Sequence, residues 1–181
     1  ETTSHGLAQH RVDFVRFAVG VLTNVTHEHL DWHRTFNAYL MTKISLLQRA
    51  RVAVLNRDEA EVYNKASVLL HHKRMLSYGI RRDANVSPKS HPFKTILVGE
   101  FNRYNCLAAI AATEALGVPL KIAQKAIASF VGVKGRMEVV VDKPFRVIID
   151  FAHTPNAIEQ ALKTVRKSCK GSLIHVFGSA A

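Results

Sequence analysis

Three histidines and two carboxylates, His27, Glu28, His29, Asp31 and His33, crowd the stretch between the apolar run Phe17 to Leu22 and a helix-patterned segment that starts near Phe36. Side chains of these types at this density suit a metal ion or an anion. On the helical period Phe36, Tyr39, Leu40, Ile44 and Leu47 share one face, and Lys43 falls on it too. An ammonium aimed at a core is costly unless it is paired, neutral or chemically modified. Lys43 is therefore either a lysine that runs its stem along the core and its head to water, or one with a chemical task.

Four further places carry candidate chemistry. Glu1 to Gly6 offers a carboxylate, three hydroxyls and a glycine, suited to a turn around a cation or phosphate oxygens. Gly99 to Asn105 turns from a predicted strand into a helix, where amide ends favour anions; Asn102 and Asn105 either hydrogen-bond a base there or merely cap the helix. Arg136, behind Gly135, is placed to reach a phosphate from a flexible connection spanning Gly132 to Arg136, or is an ordinary surface arginine. Asp150 closes the strand-like run Phe145 to Ile149.

The elements that must hold these residues alternate. Phe17 to Leu22 reads as a strand buried on both faces, as parallel sheets require, and the polar loop after it sits beyond a strand's carboxyl end, where ligands of open parallel sheets bind. A helix over 36–50, a strand over 51–56 and a helix over 58–66 follow. Met75 to Ile80 reads as another strand, 81–92 as a loop, and Lys94 to Val98 as a further strand. An alanine-rich helix then runs to Leu116, with Gly117 as its stop and Pro119 beyond. After a helix over 120–130 come strands at 137–141 and 145–149, a helix to about Lys167 with Thr154 and Pro155 at its start, and a parallel strand over 172–177. The fold class is α/β, a mostly parallel sheet with flanking helices. A second domain begins near residue 135, and one strand, helix and strand there cannot bury both faces of a sheet, so it is expected to be cut off.

Composition narrows the classes. With 48% hydrophobic and 22% charged residues the chain reads as globular, and no apolar run approaches the ~18 residues needed to span a bilayer. Two cysteines form neither a bridge framework nor a C-x-x-C pair, which points to a reducing compartment, the cytoplasm. The net charge of +11 invites a nucleic-acid reading, but basic clusters such as 71–74 and 81–82 are short and lack interleaved aromatics, so no nucleic acid is expected as partner. The chain opens at Glu1 without a methionine, which points to sequence upstream. Neither a G-x-x-x-x-G-K-[ST] phosphate loop nor a G-x-S-x-G elbow occurs, and Asp31 stands where H-E-x-x-H needs its second histidine.

Taken together, E-T-T-S-H-G-L-A-Q-H-R, T-N-V-T-H-E-H-L-D-W-H with Y-L-M-T-K, G-E-F-N-R-Y-N, G-R-M-E-V-V and I-D-F-A-H-T-P-N-A, in that order across the chain, resemble the Mur ligases, ATP-dependent enzymes of peptidoglycan precursor synthesis. The likeness is strongest to the MurE type, which adds the third peptide residue to UDP-N-acetylmuramoyl-L-alanyl-D-glutamate. The resemblance implies a central ATP-binding domain over 1–134 lacking its phosphate-loop part, then the start of a Rossmann-like C-terminal domain over 135–181. It implies that Glu1, His29 and Lys43 hold Mg2+, with Lys43 carbamylated, which leaves His27 and His33 as loop residues. It places Thr3, Ser4, Gln9 and Arg11 at the UDP-muramoyl substrate, and Asn102, Asn105, Arg136, Asp150 and His153 at ATP, with Lys43 and Arg136 catalytic.

The implied reaction activates the D-glutamate carboxylate as an acyl phosphate, which the amine of an incoming amino acid attacks. The implied partners are UDP-MurNAc-dipeptide and an amino acid, bound by a monomer with no membrane contact; the piece alone is expected to be inactive. Glu28, Thr3, Phe151 and Asn156 replace the family's usual Asp, Ser, Tyr and Asp. Two other readings are a catalytically silent binding module on the same fold, and another amide ligase of the superfamily such as folylpolyglutamate synthetase. The match at Glu1, His29, Lys43 and Asp150, and the opening motif, favour the peptidoglycan ligase.

Overall fold

The computed structural model describes residues 1–26 and 30–178, with backbone alone at 30 and 31. It divides into two compact units, Glu1–Lys94 with Tyr104–Ala128, and Thr95–Arg103 with Ser129–Ala181. The first unit carries α1 (Ser4–Ala8), β1 (Val19–Leu22), α2 (Leu30–His33), α3 (Phe36–Arg49), β2 (Val52–Asn56), α4 (Ala60–Leu69), β3 (Arg74–Tyr78), most of α5 (Glu100–Ala115) and α6 (Leu120–Ser129).

Its sheet is parallel, in the order β1-β2-β3, with Val19 beside Val52 and Val52 beside Arg74. All five residues of β2 are buried, because helices cover both faces of this central strand. Ala53 and Leu55 pack with Leu40, Ile44 and Leu47 of α3 and Val62 and Ala66 of α4. Val54 points the other way, into Leu107, Ile110 and Ala111 of α5 and Ala123 of α6. Leu40, Ile44 and Leu47 are fully buried, and each such side chain stabilises the fold by about 1.5–3 kcal/mol. Gly20 lets α3 lie close on β1: a Cβ there would stand 2.9 Å from Leu47 Cδ2 and 3.1 Å from Ala50 Cβ.

The helix ends follow local chemistry. Thr35 caps α3 by accepting from the Ala38 amide at 3.1 Å. Gly117 stops α5 at φ +81°, with the Val118 amide returning to Thr113 O at 2.9 Å and the Gly117 amide to Glu114 O at 2.9 Å, the paired bonds of a Schellman close. α4 starts at Ala60 rather than at the expected 58, because the Asp58 carboxylate is engaged elsewhere and Glu59 makes no side-chain cap.

The structure corrects several expectations. The opening Glu1 to Gly6 is no open turn: Thr3 caps the short helix α1 through the Gly6 amide at 3.0 Å. The loop after β1 contains α2, so His33 is a helix residue, buried, not a loop residue. Lys94 to Val98 alternates half-buried and exposed residues as a strand should, yet pairs with no strand among the described residues. Its polar groups go to side chains instead: the Leu97 amide donates to Thr95 Oγ1 at 3.1 Å, and Val98 O accepts from Asn102 Nδ2 at 2.8 Å. The 81–92 segment is closely tied, with Val86 bridging to Tyr78 and Asn85 Oδ1 accepting from Ser77.

The second unit contains β4 (Glu138–Val141), β5 (Val147–Ile149) and α7 (Pro155–Arg166). β4 and β5, the two strands expected at 137–141 and 145–149, form an antiparallel hairpin, Val139 opposite Ile148; the short connection between them permits only the antiparallel pairing. Thr154 caps α7 with Pro155 behind it, as expected. Ser172 to Phe177 is not a strand; it is largely exposed and has no ladder partner among the described residues.

Candidate functional site

Because β1, β2 and β3 run parallel, their carboxyl ends at Leu22, Asn56 and Tyr78 share one edge of the sheet, the edge at which such sheets bind ligands. Tyr78 reaches across that edge, its hydroxyl donating to Thr23 O at 3.3 Å. Burial pushes the Tyr78 phenol far above its ordinary pKa, with Glu59 and Tyr104 adding to the rise. At the end of β2, Arg57 lies over the Tyr63 ring at 4.2 Å, and the Asp58 carboxylate accepts from three successive amides.

Lys43 is half-buried on the flank of α3, not sunk in its core face. Its Nζ lies 5.6 Å from the centre of the Tyr39 ring. Tyr39 stacks on His33 at 5.1 Å, His33 lies 5.9 Å from His5, and His5 lies 5.0 Å from Trp32. A run of rings thus joins α1, α2 and α3 and ends at the lysine. Of the other residues expected in this unit, Ser4 is buried at 2% exposure, and the Thr3 hydroxyl is used as the cap of α1. Glu1, Gln9 and Arg11 are exposed. His29, with His27, lies outside the described residues. Asn105 is exposed on α5.

The second unit brings Arg136, Asp150 and His153 together around Phe151. The Arg136 guanidinium stands 4.4 Å from the centre of the Phe151 ring, and the His153 ring meets that ring edge-on at 4.9 Å. Asp150 spends both oxygens on backbone, accepting from Met137 N at 2.7 Å and Ala152 N at 2.8 Å. Glu138 accepts from Gly135 N at 2.7 Å. The backbone on either side of Arg136 is therefore pinned where the glycine-rich sequence suggests a flexible connection. Asn102 uses its side-chain amide on Val98 O.

Comparison with known proteins decides the family. Residues 1–113 match the model of the Mur ligase middle domain, and residues 135–181 that of the Mur ligase glutamate ligase domain. The chain belongs to the Mur ligase family. Mur ligases are ATP-dependent enzymes that form amide bonds. This Mur ligase chain is 36% identical to the UDP-N-acetylmuramoyl-L-alanyl-D-glutamate–2,6-diaminopimelate ligase of Aquifex aeolicus over 99% of its length, and 36% identical to that of Geobacter sulfurreducens over 98%. A solved structure of a UDP-N-acetylmuramoyl-L-alanyl-D-glutamate–2,6-diaminopimelate ligase superposes with a TM-score of 0.73 at 29% identity, covering 92% of this chain and 39% of that one. The chain spans about two fifths of the length of the curated relatives it matches.

For a Mur ligase the Mg2+ site is the test of the lysine flank. Glu1 offers a carboxylate, the donor type that Mg2+ takes. Among the described residues no three His, Cys, Asp or Glu side chains come together as a metal-binding group. Also among them, no helix is long and apolar enough to cross a membrane. Sequence reasoning passed over Asp58, Tyr104 and the ring contacts of His5 and His33. The signal for Asp58 was present: an Asn-x-Asp turn directly after a strand with no polar residue before Asn56.

Proposed function

We propose that the chain is the middle-domain part, over 1–134, and the beginning of the C-terminal domain, over 135–181, of a cytoplasmic, monomeric ligase of peptidoglycan precursor synthesis. The whole enzyme adds an amino acid to UDP-MurNAc-L-Ala-D-Glu at the expense of ATP. The observation that carries this reading is the 36% identity to the A. aeolicus diaminopimelate ligase along 99% of the chain. 2,6-Diaminopimelate is the amino acid of that relative and the first to test here.

In this reading Lys43, as the neutral amine, adds to carbon dioxide: the nitrogen–carbon bond forms, one carbon–oxygen π pair moves onto oxygen, one proton leaves the nitrogen, and the neutral amine becomes a carbamate anion. The place of Lys43 in the motif Y-L-M-T-K supports that role. Glu1, His29 and the carbamate would hold Mg2+, which would supply charge neutralisation at the transferring phosphoryl group. Arg136 adds its fixed positive charge to the phosphates, and Phe151 beneath the guanidinium holds it in one plane. Asn102 and Asn105 serve the adenine side, and Asp150 and His153 the ribose side. Gln9 and Arg11, both exposed just after α1, receive the UDP-muramoyl group with Thr3 and Ser4. The D-glutamate carboxylate takes the γ-phosphoryl group of ATP to give an acyl phosphate and ADP. The amine of the incoming amino acid then attacks the acyl carbon, and phosphate leaves as the amide forms.

The test is ligation by the complete gene product with ATP, UDP-MurNAc-L-Ala-D-Glu and either diaminopimelate or lysine, beside Lys43→Ala. ADP and tripeptide product are expected in equal amounts from wild type, with Lys43→Ala lowering the rate at least ~100-fold, the scale on which lost transition-state electrostatics are read. A wild-type rate in that variant, with no response to bicarbonate, rules out the carbamate; no amino-acid-dependent ADP release from wild type rules out the ligase.

A further inference from the structure

Asp58 is engaged more fully than closing a turn requires. Two residues past the end of β2, its carboxylate accepts from the amides of Ile80 at 2.7 Å, Arg81 at 3.0 Å and Arg82 at 2.8 Å, and from the Tyr104 hydroxyl at 2.7 Å. Four donors use about all the acceptor capacity an ionised carboxylate has. Burial would raise its pKa, but the three amides and the tyrosine outweigh it and hold the group below its ordinary value.

The hub is itself anchored. The Asp58 amide donates to Asn56 Oδ1 at 3.1 Å, which ties it back to β2. Gly79 lets the following turn approach, since a Cβ there would meet Asp58 Oδ1 at 3.3 Å. On its far side that turn is closed by the Gly79 amide on Val86 O at 3.1 Å and the Val86 amide on Ser77 O at 2.9 Å. One carboxylate therefore joins the end of β2, the turn after β3 and α5, all at the sheet edge where ligands are expected.

Leu107, Ala108, Ile110 and Ala111 of α5 pack against Val54 and Tyr78. Dispersion contacts of this kind are non-directional and leave the axial position of a helix loosely specified. The directed bond from Tyr104 to Asp58 restricts that freedom.

We propose that Asp58, acting through Tyr104, is a positioning residue that sets the height and rotation of α5 so that Asn105, the next residue along, faces the nucleotide. This role rests on the nucleotide reading of Asn105 given above. Neither Asp58 nor Tyr104 touches the reacting groups.

The experiment uses Tyr104→Phe, which deletes one hydroxyl and keeps the ring, in the complete gene product, with Asp58→Asn as the second variant. Steady-state ligation is expected to show KM for ATP raised about 3- to 10-fold in Tyr104→Phe, the effect of one lost directed bond, with kcat and the KM for the UDP-muramoyl dipeptide unmoved. In Asp58→Asn the backbone amide resonances of residues 80–82 are expected to shift as well, whereas Tyr104→Phe leaves them in place. A merely structural role predicts a lower melting temperature with KM for ATP unchanged, and that result overturns the proposal. If wild type shows no ATP dependence, the nucleotide reading itself falls and this role falls with it. If ATP dependence holds and only KM fails to move, the positioning role alone is wrong.

Discussion

Replacing Gly20 by alanine tests how α3, and with it Lys43, is seated. The added methyl would stand 2.9 Å from Leu47 Cδ2, 3.1 Å from Ala50 Cβ and 3.5 Å from Leu47 Cα. Carbon pairs prefer about 3.5–4.0 Å, so two of these three contacts are repulsive. Leu47 and Ala50 are at most 1% exposed, so neither can swing into solvent. Overpacking of this kind costs about 1–3 kcal/mol. One clash is with a side-chain end that can give a little, which places the value near ~2 kcal/mol, or a fall in melting temperature of about 4–8 °C for a chain of this size.

Trp32 is the sole tryptophan and belongs to the first unit, so its fluorescence during urea unfolding reports on this unit. The midpoint is expected to fall with the slope unchanged. Leu47→Ala alone should cost about 2–5 kcal/mol. Combined with Gly20→Ala it should cost less than the sum, because the new methyl takes space that the leucine vacates. A Gly20→Ala variant within ~0.5 kcal/mol of wild type, or a strictly additive double variant, would mean that α3 does not press on β1 as described.

Three further outcomes are expected. The folded-state pKa of Asp58 is lowered, so its contribution is complete above the unfolded carboxylate value near ~4 and is lost as pH falls through the folded value. The stability gap between wild type and Asp58→Asn should accordingly close on acidification in denaturant titrations, and a gap independent of pH counts against the hydrogen-bonded hub. The raised pKa of Tyr78 has the opposite sense: its contribution is complete below about pH 10 and declines above it. Tyr78→Phe should flatten the alkaline loss of stability, at a cost near ~1 kcal/mol at neutral pH for the bond to Thr23. Thr154→Ala removes the cap of α7, a helix that buries no residue; about 1 kcal/mol of local helix stability should go, seen as faster amide exchange confined to the first turn of α7.

The legibility of the chain varied with the kind of signal. β2 and α3 could be read because a fully apolar strand and a one-faced helix each leave a periodic trace, and the end of α5 because Gly117 and Pro119 punctuate it. The family could be read from five short motifs in order. Lys94 to Val98 misled because exposure does alternate along it; pairing depends on where the amide of Leu97 and the carbonyl of Val98 go, and Thr95 and Asn102 take them. At the site, Lys43 was noticed from helical phase alone, though phase overstated its burial. The turn that carries Asp58 leaves a local Asn-x-Asp trace, but the identity of its donors does not, since they lie 22 residues on at Ile80 and 46 on at Tyr104.

The central strand β2 has a consequence for how this protein can change. Ala53 and Leu55 look into one helical layer and Val54 into the other, so the strand acts as a partition wall between two rooms furnished separately. β1 and β3 divide in the same way, with Leu22 and Met75 on the α3 side and Val19, Val21 and Leu76 on the α5 side, so a volume change in one layer reaches the other through the sheet, and well-separated substitutions in the two layers should combine nearly additively. The lysine flank and the helix that carries Asn105 can then be remodelled one at a time, each lineage of substitutions leaving its neighbour undisturbed.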